Sequence, residues 1–106
     1  MPLVSQFIFS LLVAAALASP HIDFQLQQNS EREQKTKVQM ERLLETYDLR
    51  KWTFTEKVII DEQSTPHSHP VLTLHTRHLN SDDQLLSTYV HEQLHWWLNA
   101  RWKQTN

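Results

Sequence analysis

The 106-residue chain contains no cysteine and no glycine. Without cysteine there is no disulfide, no thiol nucleophile and no thiolate ligand, so any metal must be held by nitrogen and oxygen. Without glycine there is no Gly-rich phosphate loop, and helices must end without the residue that most often takes the left-handed position beyond them. An excess of one charge is missing too: ten Lys and Arg stand against twelve Asp and Glu, a formal net charge of -2 with no run of either sign. Such a chain lacks the basic face that phosphate neutralisation needs, and no nucleic-acid partner is expected. Histidine is the residue in excess, with seven in the chain and six of them between positions 67 and 95. That enrichment is the compositional pointer towards a metal.

Long apolar runs are also scarce. Phe7 to Ala18 is an uncharged stretch of twelve residues, short of the roughly 20 that span a bilayer. It ends in Ala16-Leu17-Ala18, small residues of the kind a signal peptidase reads, although Met1 to Gln6 supplies no Lys or Arg. The expectation is a signal peptide over 1–18 and a secreted or extracytoplasmic domain over 19–106, membrane-bound only if the segment stays uncleaved. A domain of that size has a marginal core unless something such as a metal adds to it.

Within the domain, His21 to Asn29 reads as a polar lead-in. Ser30-Glu31-Arg32-Glu33 has capping-box spacing, which predicts a helix to about Tyr47 with Val38, Met40, Leu43, Leu44 and Tyr47 on its sparse apolar side. Trp52, Phe54, Val58 and Ile60 predict a strand over 52–60, and Val71 to Thr76 a second, with Leu72 and Leu74 on one face and Thr73 and His75 on the other. The proline-containing stretch Asp61 to Pro70 between them is a loop. Ser81 as N-cap and Gln84 at the capping-box position start a second helix to about Trp102, with a stripe of Leu85, Leu86, Tyr89, Val90, Leu94, Trp97 and Leu98. The order helix, strand, strand, helix implies a small α+β domain, with the strands paired and both helices on the sheet.

The chemistry concentrates in His91-Glu92-Gln93-Leu94-His95 on this second helix. Residues four apart leave the same helix face about one turn from each other, so both imidazoles can meet one Zn²⁺ at about 2.0–2.1 Å. Glu92 lies one step round from His91, where its carboxylate can take a proton from an activated water without being a ligand. His91 and His95 are thus the candidate zinc ligands and Glu92 the candidate catalytic base.

The motif resembles that of the zincin metallopeptidases, over Leu72 to Trp102 at most. The resemblance implies zinc-dependent hydrolysis of peptide bonds in a peptide or protein substrate, with the strand at Val71 to Thr76 pairing the substrate backbone. The chain departs from it at the third protein ligand that a catalytic zinc takes. Where metzincins carry a glycine and then a histidine, this chain has Leu98 and Arg101; the later glutamate of gluzincins has no counterpart, since none of the eleven residues after His95 is Glu, Asp or His. The third ligand would then come from upstream (His75 on the strand first, then His78, His67 or His69), from another chain, or be missing because the domain is incomplete at its C-terminal end. The alternative function is a non-catalytic metal-binding or interaction module, and the plainest one an α+β domain with no metal. Trp96 could wall the site, and Arg77 could meet a substrate carboxylate. Tyr89, as a member of the stripe, reads as core.

Overall fold

The computed structural model describes residues 20–105, so the apolar start and its expected processing lie outside the described residues. Elements follow in the order β1 (Asp23–Leu26), α1 (Glu31–Thr46), a 3-10 turn (Arg50–Trp52), β2 (Lys57–Asp61), β3 (Leu72–His75), a second 3-10 turn (Thr76–His78) and α2 (Asp82–Thr105). The α+β class holds, with two helices and one sheet. The sheet has three strands in the order β1-β2-β3, and both pairings are parallel.

The third strand corrects the reading of His21 to Asn29 as a lead-in. Ile22, Phe24 and Leu26 alternate with polar residues, and in β1 Phe24 and Leu26 are half-buried while Asp23 and Gln25 are exposed. That is strand period, cut short by the glutamines that follow. The strand expected over 52–60 is likewise corrected. Arg50 to Trp52 turns, and pairing begins only at Lys57, because Phe54 and Thr55 give their backbone groups to a helix side chain instead.

Parallel pairing requires the chain to travel the length of the sheet between strands. From β1 to β2 that journey carries α1. From β2 to β3 it is the ten-residue loop 62–71, which has no helix. One residue of this loop, His67, forms an antiparallel bridge with Thr73, its N–H donating to Thr73 O at 3.1 Å and its carbonyl accepting from Thr73 N at 2.7 Å.

The register sets Phe24 beside Val58 beside Leu72, and Leu26 beside Ile60 beside Leu74. Val58, Leu72 and Leu74 join Met40, Leu43, Leu44, Leu49, Leu85 and Tyr89 in a single core, so both helices cover the same apolar face. Val38 and Tyr47, expected on the buried side of α1, are instead exposed at its edges, and Leu98 on α2 is exposed as well. α2 also runs one turn beyond the expected end at Trp102.

Two devices replace glycine. Asn29 and Asn80 hold the positive-φ positions, at 53° and 67°, each one residue ahead of a serine that opens a helix; asparagine tolerates this region better than other side chains. At the first of these starts the capping box forms, and its glutamate does more than cap. Glu33, fully buried, accepts from Gln28 N and Ser30 N through Oε1 at 2.9 and 3.1 Å, and from Glu62 N through Oε2 at 3.1 Å. It thereby ties the exit of β1, the start of α1 and the exit of β2 together. The amide of Gln28, its nitrogen turned towards these acceptors, donates to Glu33 and to Asp61.

Replacing Glu33 by Ala strands three backbone donors and removes the box; a loss of about 2–4 kcal/mol is expected, read by urea unfolding. Asp61 provides an acid-sensitive counterpart. The Gln63 N–H and then the Ser64 hydroxyl hold its carboxyl below the usual range. A group depressed in the folded state stabilises above its unfolded value and loses that contribution as pH falls through the folded one. Wild-type stability should therefore fall more steeply on acidification below about pH 4 than that of Asp61→Asn, and parallel slopes would remove Asp61 from the account.

Candidate functional site

α2 presents its motif in two directions. On the side facing the sheet, Gln93 is fully buried. Its Oε1 accepts from Phe54 N at 2.7 Å and Thr55 N at 2.9 Å, and its Nε2 donates to Thr55 O at 2.9 Å. One turn earlier the Tyr89 hydroxyl pairs with Thr53 Oγ1 at 2.7 Å, and Thr53 in turn donates to Leu49 O. Burial pushes the Tyr89 phenol up, opposed by hydrogen bonding to Thr53 and Gln93, so Tyr89 stays neutral as a core residue. One turn later Trp97 packs on Phe54 at 5.4 Å and lies under the Arg101 guanidinium at 5.0 Å. Three successive turns of α2 thus grip the segment 53–55, which sets the rotation of the helix.

With that rotation His91 and His95 face outward, both exposed, their ring centroids 4.4 Å apart. Glu92 lies between the two directions and is buried at 7 % exposure. Its carboxylate has no hydrogen-bond or ion-pair partner among the described residues. It lines a cavity of 480 Å³ together with His91, His78, Arg77, Thr65 and Pro66. A comparable 490 Å³ cleft beside α1 is walled by Glu31, Lys35 and Arg42, whose charges are spent on one another and on Asp82.

Hydrogen bonds sort the four upstream histidines. Arg77 N donates to His75 Nδ1 at 2.8 Å, so this ring caps the second 3-10 turn and carries its proton on Nε2. Asn99 Nδ2 lies 3.1 Å from His69 Nδ1, and as a donor places that proton on Nε2 as well. In His78 and His67 the direction reverses. Nδ1 faces the acceptor Gln84 Oε1 at 3.0 Å in the first and Thr65 O at 2.7 Å in the second, which selects the tautomer with the proton on Nδ1. His75, the first upstream candidate, is therefore occupied as a cap, and His78 shares the cavity with His91 and Glu92. Gln84 serves His78 with the oxygen that its sequence position had suggested for a capping box.

The donor set gives the test of fit for zinc. Two imidazoles at i and i+4 suit two positions of a tetrahedral ion, whose nitrogen ligands stand about 3.3 Å apart. Among the described residues, no group of three His, Asp or Glu side chains converges to hold a metal. The fit is for half a coordination sphere. The strand expected to pair a substrate is β3, an edge strand, but its Thr73 is already bridged to His67.

No family model, curated relative or solved structure matches the chain. The site therefore has to be read from its own geometry. Sequence reasoning missed Gln93 as the residue that orients the motif, although its signal was present: it continues the series Leu85, Tyr89 at four-residue steps, and so falls on the buried side. An amide at a buried phase needs partners. The His78–Gln84 pair carried no such signal, since it depends on the turn that brings them together.

Gln93→Ala should cost about 2–4 kcal/mol, because two N–H groups and one C=O of the 54–55 segment lose their partners at once. Gln93→Leu, which keeps the volume, should be nearly as damaging; a loss below ~1 kcal/mol for both in chemical unfolding would show that water replaces the amide freely.

Proposed function

We propose that the outward face of α2 is a divalent-metal site of the metallopeptidase type, with His91 and His95 as zinc ligands and Glu92 as general base, in a protein acting outside the cytoplasm. The observation that carries this reading is Glu92: a largely buried residue whose carboxylate takes no protein partner among the described residues and reaches the solvent of a cavity that His91 also lines, with the His95 ring 4.4 Å from that of His91. A carboxylate that is held in place by a packed helix, bonded to no protein donor and open to a cavity beside an imidazole is placed to accept a proton from a bound water. Zinc, when bound, supplies a Lewis acid that acidifies water and polarises a carbonyl oxygen. Glu92 would take the proton of the attacking water and return it to the leaving amine as the C–N bond of the peptide breaks. Arg77 and His78 would line the side of the cavity that receives the substrate.

A second reading, a non-catalytic metal-binding module, is favoured by the exposure of both histidines and by the half-filled donor set. The two readings part at Glu92. Zinc affinity by calorimetry should fall at least ~100-fold in His91→Ala and His95→Ala and change little in Glu92→Gln. Hydrolysis of a quenched fluorescent peptide library by zinc-loaded wild type should drop at least ~100-fold in Glu92→Gln. Zinc binding without any hydrolysis would leave the module reading standing, and absence of zinc binding would sink both.

A further inference from the structure

The stripe that carries the histidines continues past them. His91, His95, Leu98 and Trp102 are spaced by four, three and four residues, the a/d spacing of two helices that pack along their length. At 100° per residue they fall within an arc of about 60°. They lie on the side of α2 opposite Tyr89 and Gln93, which are fully buried. All four are exposed, Leu98 at 55 % and Trp102 at 67 %. One face of one helix therefore combines half of a metal coordination sphere with two large apolar side chains open to solvent.

We propose that this face docks a second copy of the chain, and that a zinc ion held by His91 and His95 of both copies bridges the pair. The proposal rests on the metal-binding reading that both functional readings share. Coordination chemistry selects the occupant. A structural zinc is four-coordinate and tetrahedral, each chain offers two imidazole nitrogens on neighbouring turns, and no third donor converges on them among the described residues. A two-fold interface is self-complementary, so one patch is enough. With the axis running along the helices, four imidazoles meet at one ion, and Leu98 and Trp102 of both chains meet beyond it. Because Gln93, Tyr89 and Trp97 already hold α2 from behind, the face is presented rigidly and little ordering is lost on association. The bridged ion has no position left for water, so the pair is the closed, non-hydrolysing form of the site and does not call on Glu92; the hydrolysis proposed above belongs to the single chain with its own zinc.

Sedimentation velocity and zinc titration of the purified chain, with and without chelator, test this. The expected result is a monomer in chelator and a dimer containing one zinc per two chains, lost on chelation, absent in His95→Ala and unchanged in Glu92→Gln. Leu98→Asp combined with Trp102→Asp, both at exposed positions that the core does not need, should weaken zinc-driven dimerisation at least tenfold with the circular dichroism spectrum retained. One zinc per chain in a monomer would overturn the bridged pair and leave the proposed function standing. A dimer that persists in chelator or in His95→Ala would overturn it too, as association through the apolar residues alone. Failure of either histidine to affect zinc binding would overturn both.

Discussion

The Gln93 amide is the interaction on which the geometry of the site depends. Two N–H groups and one C=O of the chain between the first 3-10 turn and β2 find their partners in that one side chain. Left unpaired in a buried place, they would each cost more than an ordinary hydrogen bond returns. Because Gln93 lies within the His91–His95 segment, satisfying those groups fixes which way the histidines point. Rotating α2 by one residue, about 100°, would break the clamp and turn Leu85 and Tyr89 out of the core with it. The Tyr89–Thr53 pair and the Trp97–Phe54 contact repeat the restraint one turn either side.

A second hub, Glu33, does for the sheet what Gln93 does for the helix. Parallel strands are not joined by tight turns, so their ends must be gathered by other means. Here one buried carboxylate collects backbone donors from the ends of β1 and β2 and from the N-terminus of α1. Its charge is spread over N–H groups and the positive end of a helix, the condition under which a buried carboxylate is tolerated. Glu92 offers the contrast within the same small molecule. Its carboxylate has no such donors and reaches the solvent of a cavity instead, and that difference separates a structural acid from a candidate functional one.

Much of this was legible in residue order. The capping box at Ser30, the amphipathic phase of α2, the strand at Leu72 and the i, i+4 histidines all depend on neighbours a few positions away, and all are present at or near the expected places. The misreadings also have local causes. β1 is four residues long and followed by two glutamines, so the alternation of Ile22, Phe24 and Leu26 was too brief to stand out. Trp52 and Phe54 looked like strand residues by type, but their backbone follows Gln93 and the turn at Leu49. Val38 and Leu98 are apolar by type and exposed by position, since a narrow helix-on-sheet contact covers fewer positions than the apolar residues available.

The sequence by itself determined that thiol and thiolate chemistry is closed to this chain and that two histidines stand four residues apart around a glutamate, whatever the fold. Only the tertiary structure decided how those groups are placed. Whether Glu92 finds a partner, which ring nitrogen of His78 or His75 carries the proton, and whether a third donor reaches the pair all depend on contacts between residues dozens of positions apart. Local sequence specifies which face of a helix a side chain leaves from; what stands opposite that face is settled by packing.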